Sequence, residues 1–202
     1  MKVFSYDSPV WKFMGRLLDF LVLTLLWVIT SLPIITIGVS TTTVYYITLK
    51  MTENQDGYLV PMYFKTFKKL FGEAFKNSIL LILIGILLSG DVMICYWNKS
   101  PVFTMLLAAF VVIMLLYVCI VTYFFPVMAR VNESLSGLLK TSFYLSIKYL
   151  SWTILLVVIP ACIVITGIFV FWPLLLISVG LSAYLQSLIF KQIFKKQGWS
   201  LE

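Results

Sequence analysis

The sequence predicts an all-α fold, a polytopic membrane helical bundle with about five transmembrane helices and a broken or re-entrant first segment. Three observations predict it. Apolar residues make up 61% of the 202-residue chain and charged residues only 11%, against roughly 25% charge in soluble domains. Uncharged runs recur at or beyond the ~20 residues that carry a helix across ~30 Å of hydrocarbon. The 15 lysines and arginines fall between those runs, where they act as topology determinants. Residues 1–202 therefore read as a single membrane domain.

Residues 1–16 form an amphipathic lead-in. Ser8-Pro9 reads as a helix start, and Trp11, Phe13, Met14, Leu17 and Leu18 recur at helical spacing around Lys12 and Arg16, which suits a helix resting on the membrane. Asp7 and Pro9 sit where a signal peptide would need an uncharged core, and no small-residue cleavage site follows; the segment is expected to be retained. Residues 17–49 are a broken hydrophobic segment. Pro33 and Gly38 mark the break, and Thr36, Thr41, Thr42 and Thr43 line it with hydroxyls. Backbone broken at membrane depth survives only where protein or a polar cavity satisfies it. Two readings remain: one crossing with residues 41–49 along the interface, or a hairpin that turns back.

Residues 50–76 form a basic amphipathic cytoplasmic loop, opened by a turn at Asp56-Gly57-Tyr58. Tyr63, Phe67, Leu70, Phe71, Ala74 and Phe75 share one helical face, and Lys65, Lys68, Lys69 and Lys76 the other. Such a face suits anionic inner-leaflet lipids, at ~1 kcal/mol per basic residue, or a docking partner. Residues 79–97 and 102–127 are spans. Residues 128–149 form a second cytoplasmic loop, with Asn132 as a cap and Leu135, Leu138, Leu139, Ser142 and Phe143 on one face. A 68-residue shift aligns Phe67, Leu70, Phe71, Phe75, Ser78 and Ile79 with Leu135, Leu138, Leu139, Phe143, Ser146 and Ile147; shared amphipathic demands can produce such a match without duplication. The uncharged run 150–190 is twice a bilayer long. It must fold back, at Phe171-Trp172-Pro173, giving spans 150–171 and 174–190. Residues 191–202 are a basic tail.

Charge bounds the topology. Lys2, Lys12 and Arg16 precede the first segment. Lys50, Lys65, Lys68, Lys69 and Lys76 follow it, and Lys99 stands alone. Arg130, Lys140 and Lys148 occupy the second loop, and Lys191, Lys195 and Lys196 the tail. A first segment that crosses fully divides these eleven to four with the N-terminus outside; a re-entrant one divides them fourteen to one with it inside. Both put the C-terminus in the cytoplasm.

Histidine is absent, which removes Ser-His-Asp and Cys-His catalysis and His-ligated metals. Cys95, Cys119 and Cys162 lie far apart in apolar runs, without metal or disulfide spacing. No phosphate-binding glycine loop occurs. The dispersed bases form no stacking groove for nucleic acid. No catalytic, metal-binding or cofactor-binding constellation is legible. Among acids in apolar runs, Asp19 stands three residues after Arg16, as an interfacial ion pair would. Asp91, six residues before Trp97, is a substrate- or proton-coupling candidate together with the hydroxyl-lined break.

Certain residues carry a family resemblance. They are Pro9-Val10-Trp11-Lys12-Phe13-Met14, Arg16-Leu17-Leu18-Asp19, Ser31-Leu32-Pro33-Ile34-Ile35-Thr36-Ile37-Gly38, Thr41-Thr42-Thr43-Val44-Tyr45-Tyr46, Phe64-Lys65-Thr66-Phe67-Lys68, Phe125-Pro126 and Ile193-Phe194-Lys195-Lys196. In this order the chain resembles the YesL family of small bacterial integral membrane proteins, a domain of unknown function. The resemblance implies a non-enzymatic accessory of carbohydrate uptake or utilisation in the bacterial cell membrane. Members are often encoded beside ABC-type sugar importers, whose subunits are the implied partners. The alternative reading of the residues is a small transporter or channel, acting as a homo-oligomer.

Overall fold

The computed structural model describes residues 9–199 except 56, 99 and 132, and of residues 9–12 only the backbone. It is all helix among the described residues: α1 (Pro9–Ser31), α2 (Ile37–Thr52), α3 (Leu59–Trp97), α4 (Pro101–Arg130), α5 (Leu135–Lys148), α6 (Leu150–Phe169) and α7 (Ser178–Lys196). Short 3₁₀ turns, Ile34–Thr36 and Trp172–Ile177, precede α2 and α7. Five segments are long and apolar enough to cross a membrane: Phe13–Ser31, Leu59–Trp97, Pro101–Arg130, Leu150–Phe169 and Trp172–Lys196. The chain is a multi-pass helical membrane protein.

The broken first segment is a helical hairpin. Pro33 is extended (φ −73°, ψ 111°) and holds the residue before it out of helical geometry, so α1 ends just upstream. Thr36 closes the turn by donating to the Thr30 and Pro33 carbonyls, each at 2.6 Å. Thr30 lies 2.9 Å from Ser40, and Phe20 and Leu23 pack in one cluster with Val44, Ile47 and Met51, so the arms run antiparallel. The interfacial reading of residues 41–49 is thereby excluded: eleven of the sixteen residues of α2 are buried. This helix is polar because protein surrounds it, packed against α1, α3, α4 and α7.

Gly38 is no break. It lies in the first turn of α2, and a Cβ there would collide with the Ser78 side chain of α3. Its role is close helix approach. At the other end of α1, residues 9–16 continue the same helix and are not a separate surface element; the start at Ser8, and the Asp56 part of the predicted turn, lie outside the described residues.

The basic loop and the second span are likewise one continuous 39-residue helix, α3. Its buried stripe is Tyr63, Thr66, Leu70, Ala74, Ser78 and Leu81. Phe71 sits at the rim, and Lys65, Lys68, Lys69 and Lys76 are all exposed on the opposite face. α5 buries Leu138, Ser142, Leu145 and Ser146, so Phe143, placed by periodicity on the inner face, is 44% exposed. Ser134 takes the cap position; Asn132 lies outside the described residues. The turn at 171–173 occurs as expected, and the tail continues α7 to Lys196.

One end of the bundle gathers the chain's charged connections. Arg130 at the end of α4 pairs with Glu53 after α2 at 3.0 Å. Arg130 also donates to the Trp199 carbonyl at 2.6 Å, and Lys191 donates to the Thr52 carbonyl. Arg16 and Asp19 share a crevice with Met51, Gly57, Leu59 and Met62. The outer end of α2 therefore meets the ends of α4 and α7, and the outer part of α1 lies beside the α2–α3 connection.

Candidate functional site

Three features could carry function: an intramembrane cavity, a projecting two-helix arm, and the lysine face. The cavity, about 410 Å³, is walled by α1, α2, α4, α6 and α7. Two prolines shape its walls. Pro160 in α6 has no N–H to give the Leu156 carbonyl one turn earlier. Gln186 of α7 supplies the missing donor at 2.7 Å, and its carbonyl oxygen accepts from the Tyr45 hydroxyl of α2 at 2.6 Å. This chain ties three helices across one wall. Pro126 in α4 likewise leaves the Thr122 carbonyl without its helical donor, and Thr122 faces the cavity.

The predicted hydroxyl residues divide. Thr41 faces the cavity, donating to the Ile37 carbonyl at 2.7 Å and accepting from the Trp27 indole at 3.1 Å. Thr42 and Thr43 are fully buried and donate to the Gly38 and Val39 carbonyls at 2.8 Å. Thr36 closes the hairpin. Only Thr41 of the four reaches open space.

Asp91 does not join them. It stands thirteen residues beyond Ser78, where α3 passes Gly38, which is about 20 Å along the helix. It belongs to the arm, the outer parts of α3 and α4. Tyr117 donates to the Leu81 carbonyl at 2.7 Å and fills the space opposite Gly85. From residue 82 to 116, Cys95 alone is buried among the described residues. Leu83, Ile86, Leu87, Met105, Val112 and Leu115 are all exposed. Among the described residues Asp91 has no hydrogen bond or ion pair, half-buried on an apolar surface.

The lysine face of α3 borders a crevice in which Glu73, Lys76 and Asn77 meet Glu133, Ser134 and Leu135. On α5, Lys148 lies over the Tyr144 and Tyr149 rings at 5.1 and 5.6 Å, and a hydrogen bond that its ammonium donates to the Tyr144 hydroxyl holds its pKa above the ordinary lysine value. Among the described residues no group of three or more His, Cys, Asp or Glu could hold a metal ion.

Sequence reasoning missed two features. Arg130 reads in the sequence only as a topology charge, yet its side chain is 4% exposed and lies 5.6 Å over the Phe194 ring. Gln186, the one amide in the run 150–190, was not singled out. A lone amide placed to serve a carbonyl orphaned by Pro160 was the available signal.

Residues 20–92 match the family model DUF624, described as a protein of unknown function. The matched segment begins at Phe20 within α1 and takes in the turn at Pro33, α2 and α3 as far as Val92. No curated protein and no solved structure matches the chain.

Proposed function

We propose that this chain is a non-enzymatic membrane accessory of carbohydrate uptake that works by helix packing against an ABC-type sugar importer. The observation that carries the reading is the arm. Its two helices cover each other on one side only, and the rest is apolar surface holding one carboxylate without a partner among the described residues. A charge inside hydrocarbon is costly unless paired, so a neighbouring transmembrane helix with a basic residue opposite Asp91 suits this surface. The YesL-like residue order supports an importer as the source of that helix. The lysine face then rests on the anionic cytoplasmic leaflet, with both termini on that side.

The test is co-purification in mild detergent with the permease subunits of a sugar importer, in wild type and in Asp91→Asn. Retention by wild type and loss in the variant, with slowed sugar uptake on deletion, is the expected result. Isolation as a homo-oligomer alone, with unchanged uptake, would overturn it. The transporter or channel reading is favoured by the cavity but weakened by its chemistry. Thr36, Thr42 and Thr43 bond to their own backbone, and Asp91 is remote. Solute flux in reconstituted liposomes would restore it.

A further inference from the structure

We infer that the cavity between α4 and α6 is a binding site for one acyl chain of a membrane phospholipid. Its hydroxyl and indole donors are already committed to protein partners, and the Thr122 carbonyl left by Pro126 adds an acceptor and no donor. The Trp27 indole gives its proton to Thr41 and Thr41 to Ile37. Tyr45 donates to Gln186, and Gln186 to Leu156. Tyr117, Thr122 and Ser182 donate to the carbonyls of Leu81, Val118 and Val179. Among the described residues no charged side chain lines the space. A sugar would surrender its hydration and find almost no donor waiting, and an ion would find no charged group to replace its water, whereas a hydrocarbon chain has no hydration to lose.

Shape and setting agree. α4 and α6 meet where Tyr123 lies 3.0 Å from Thr153, and beyond that contact Val118, Val121 and Thr122 face Val157 and Pro160 across the gap. A dry apolar cavity of ~150 Å³ already takes benzene; this one, at about 410 Å³, has room for a run of methylenes. Left empty, its walls would forfeit their dispersion contacts. Water is a poor filler, since each molecule needs two to four polar partners. Both walls belong to spanning helices, so the bilayer supplies acyl chains at bulk concentration beside the gap.

The test places the full chain in vesicles of phosphatidylglycerol and phosphatidylethanolamine whose acyl chains carry bromine at mid-length. Emission of Trp27, taken as the difference between wild type and Trp27→Phe, is the readout. Val157→Phe and Val121→Phe fill the gap from opposite walls, so that one survives if the other fails to fold. Bromine is expected to quench Trp27 in wild type, and either plug to restore its emission. Equal quenching in wild type and plugged protein would assign the effect to lipid outside the bundle and overturn the proposal, as would no quenching at all. A second readout needs no variant. Native mass spectrometry after detergent exchange should find one retained phospholipid per chain, and a lipid-free chain would overturn the site.

Discussion

Gln186 and Arg130 show how much single side chains do here. Replacing Gln186 by Leu leaves the Leu156 carbonyl without a donor and the Tyr45 hydroxyl without its acceptor. The expected loss is about 1–2 kcal/mol, between the usual value for an orphaned buried group and the smaller one measured in bilayers. The double variant Gln186→Leu/Pro160→Ala returns an N–H to that carbonyl, so thermal unfolding in detergent should show part of the loss recovered. Failure to recover would place the role of Gln186 elsewhere. Arg130 binds Glu53 and the Trp199 carbonyl in a nearly closed site. Arg130→Met strands Glu53 and should cost about 3 kcal/mol, in the range for breaking a buried pair. Arg130→Lys should recover little of it, because an ammonium cannot serve both acceptors in the same fork. A double-mutant cycle with Glu53→Gln measures the coupling.

At the scale of elements, glycines separate tight crossings from open ones. Gly180 of α7 lies on the α1 backbone, where an added Cβ would come 2.5 Å from the Phe20 carbonyl oxygen and 2.7 Å from its Cα. Backbone cannot swing aside, so Gly180→Ala should lower the melting temperature. Gly72 and Gly90 of α3 have nothing within 4 Å, and Ala there should be neutral or stabilising by up to ~1 kcal/mol. The same elements show what a linear reading can reach. The turns at Pro33 and at 171–173, and the exposed rank Lys65, Lys68, Lys69 and Lys76, followed from proline geometry and helical period. The fusion of loop and span into α3 does not follow from hydropathy, which marks solvent rather than backbone and so sets a boundary inside one continuous helix. The inner face of α5 differs from the periodicity at Phe143 because the helix turns Leu145 and Ser146 inward instead. For the site, Thr41 is legible as a hydroxyl in a break, but its separation from Thr42 and Thr43 depends on which side of α2 faces the cavity walled by α4, α6 and α7. That is a property of partners up to 140 residues away.

Across the whole molecule, one end holds the hairpin's two open ends, Arg130 and the end of α7; the fourteen-to-one division of charge predicts that this end is cytoplasmic. Cysteines introduced near the N-terminus and at position 195 should react with an impermeant reagent from the same face, and one at Ser100 from the opposite face. Labelling of residue 12 and of residue 195 from opposite faces would contradict the hairpin. The 68-residue shift also has a structural echo. The buried Leu70, Ala74 and Ser78 of α3 correspond to the buried Leu138, Ser142 and Ser146 of α5, each stripe leading into apolar helix. Both helices meet the same demand, a lysine-bearing outer face and a small-residue inner one, so the echo follows from physics whether or not a duplication produced it.

α2 sets the order in which the protein can be built. Thr48 rests 2.7 Å from Ser187 and Tyr45 bonds to Gln186, residues that leave the ribosome some 140 positions later. Until α7 is synthesised, a helix rich in hydroxyls has no proper shelter, and the early chain must be held by α1 and α3 or by a chaperone. A nascent chain stopped before residue 178 should therefore be degraded quickly in cells although it already carries four of the five apolar segments, and supplying α7 as a separate peptide should rescue it.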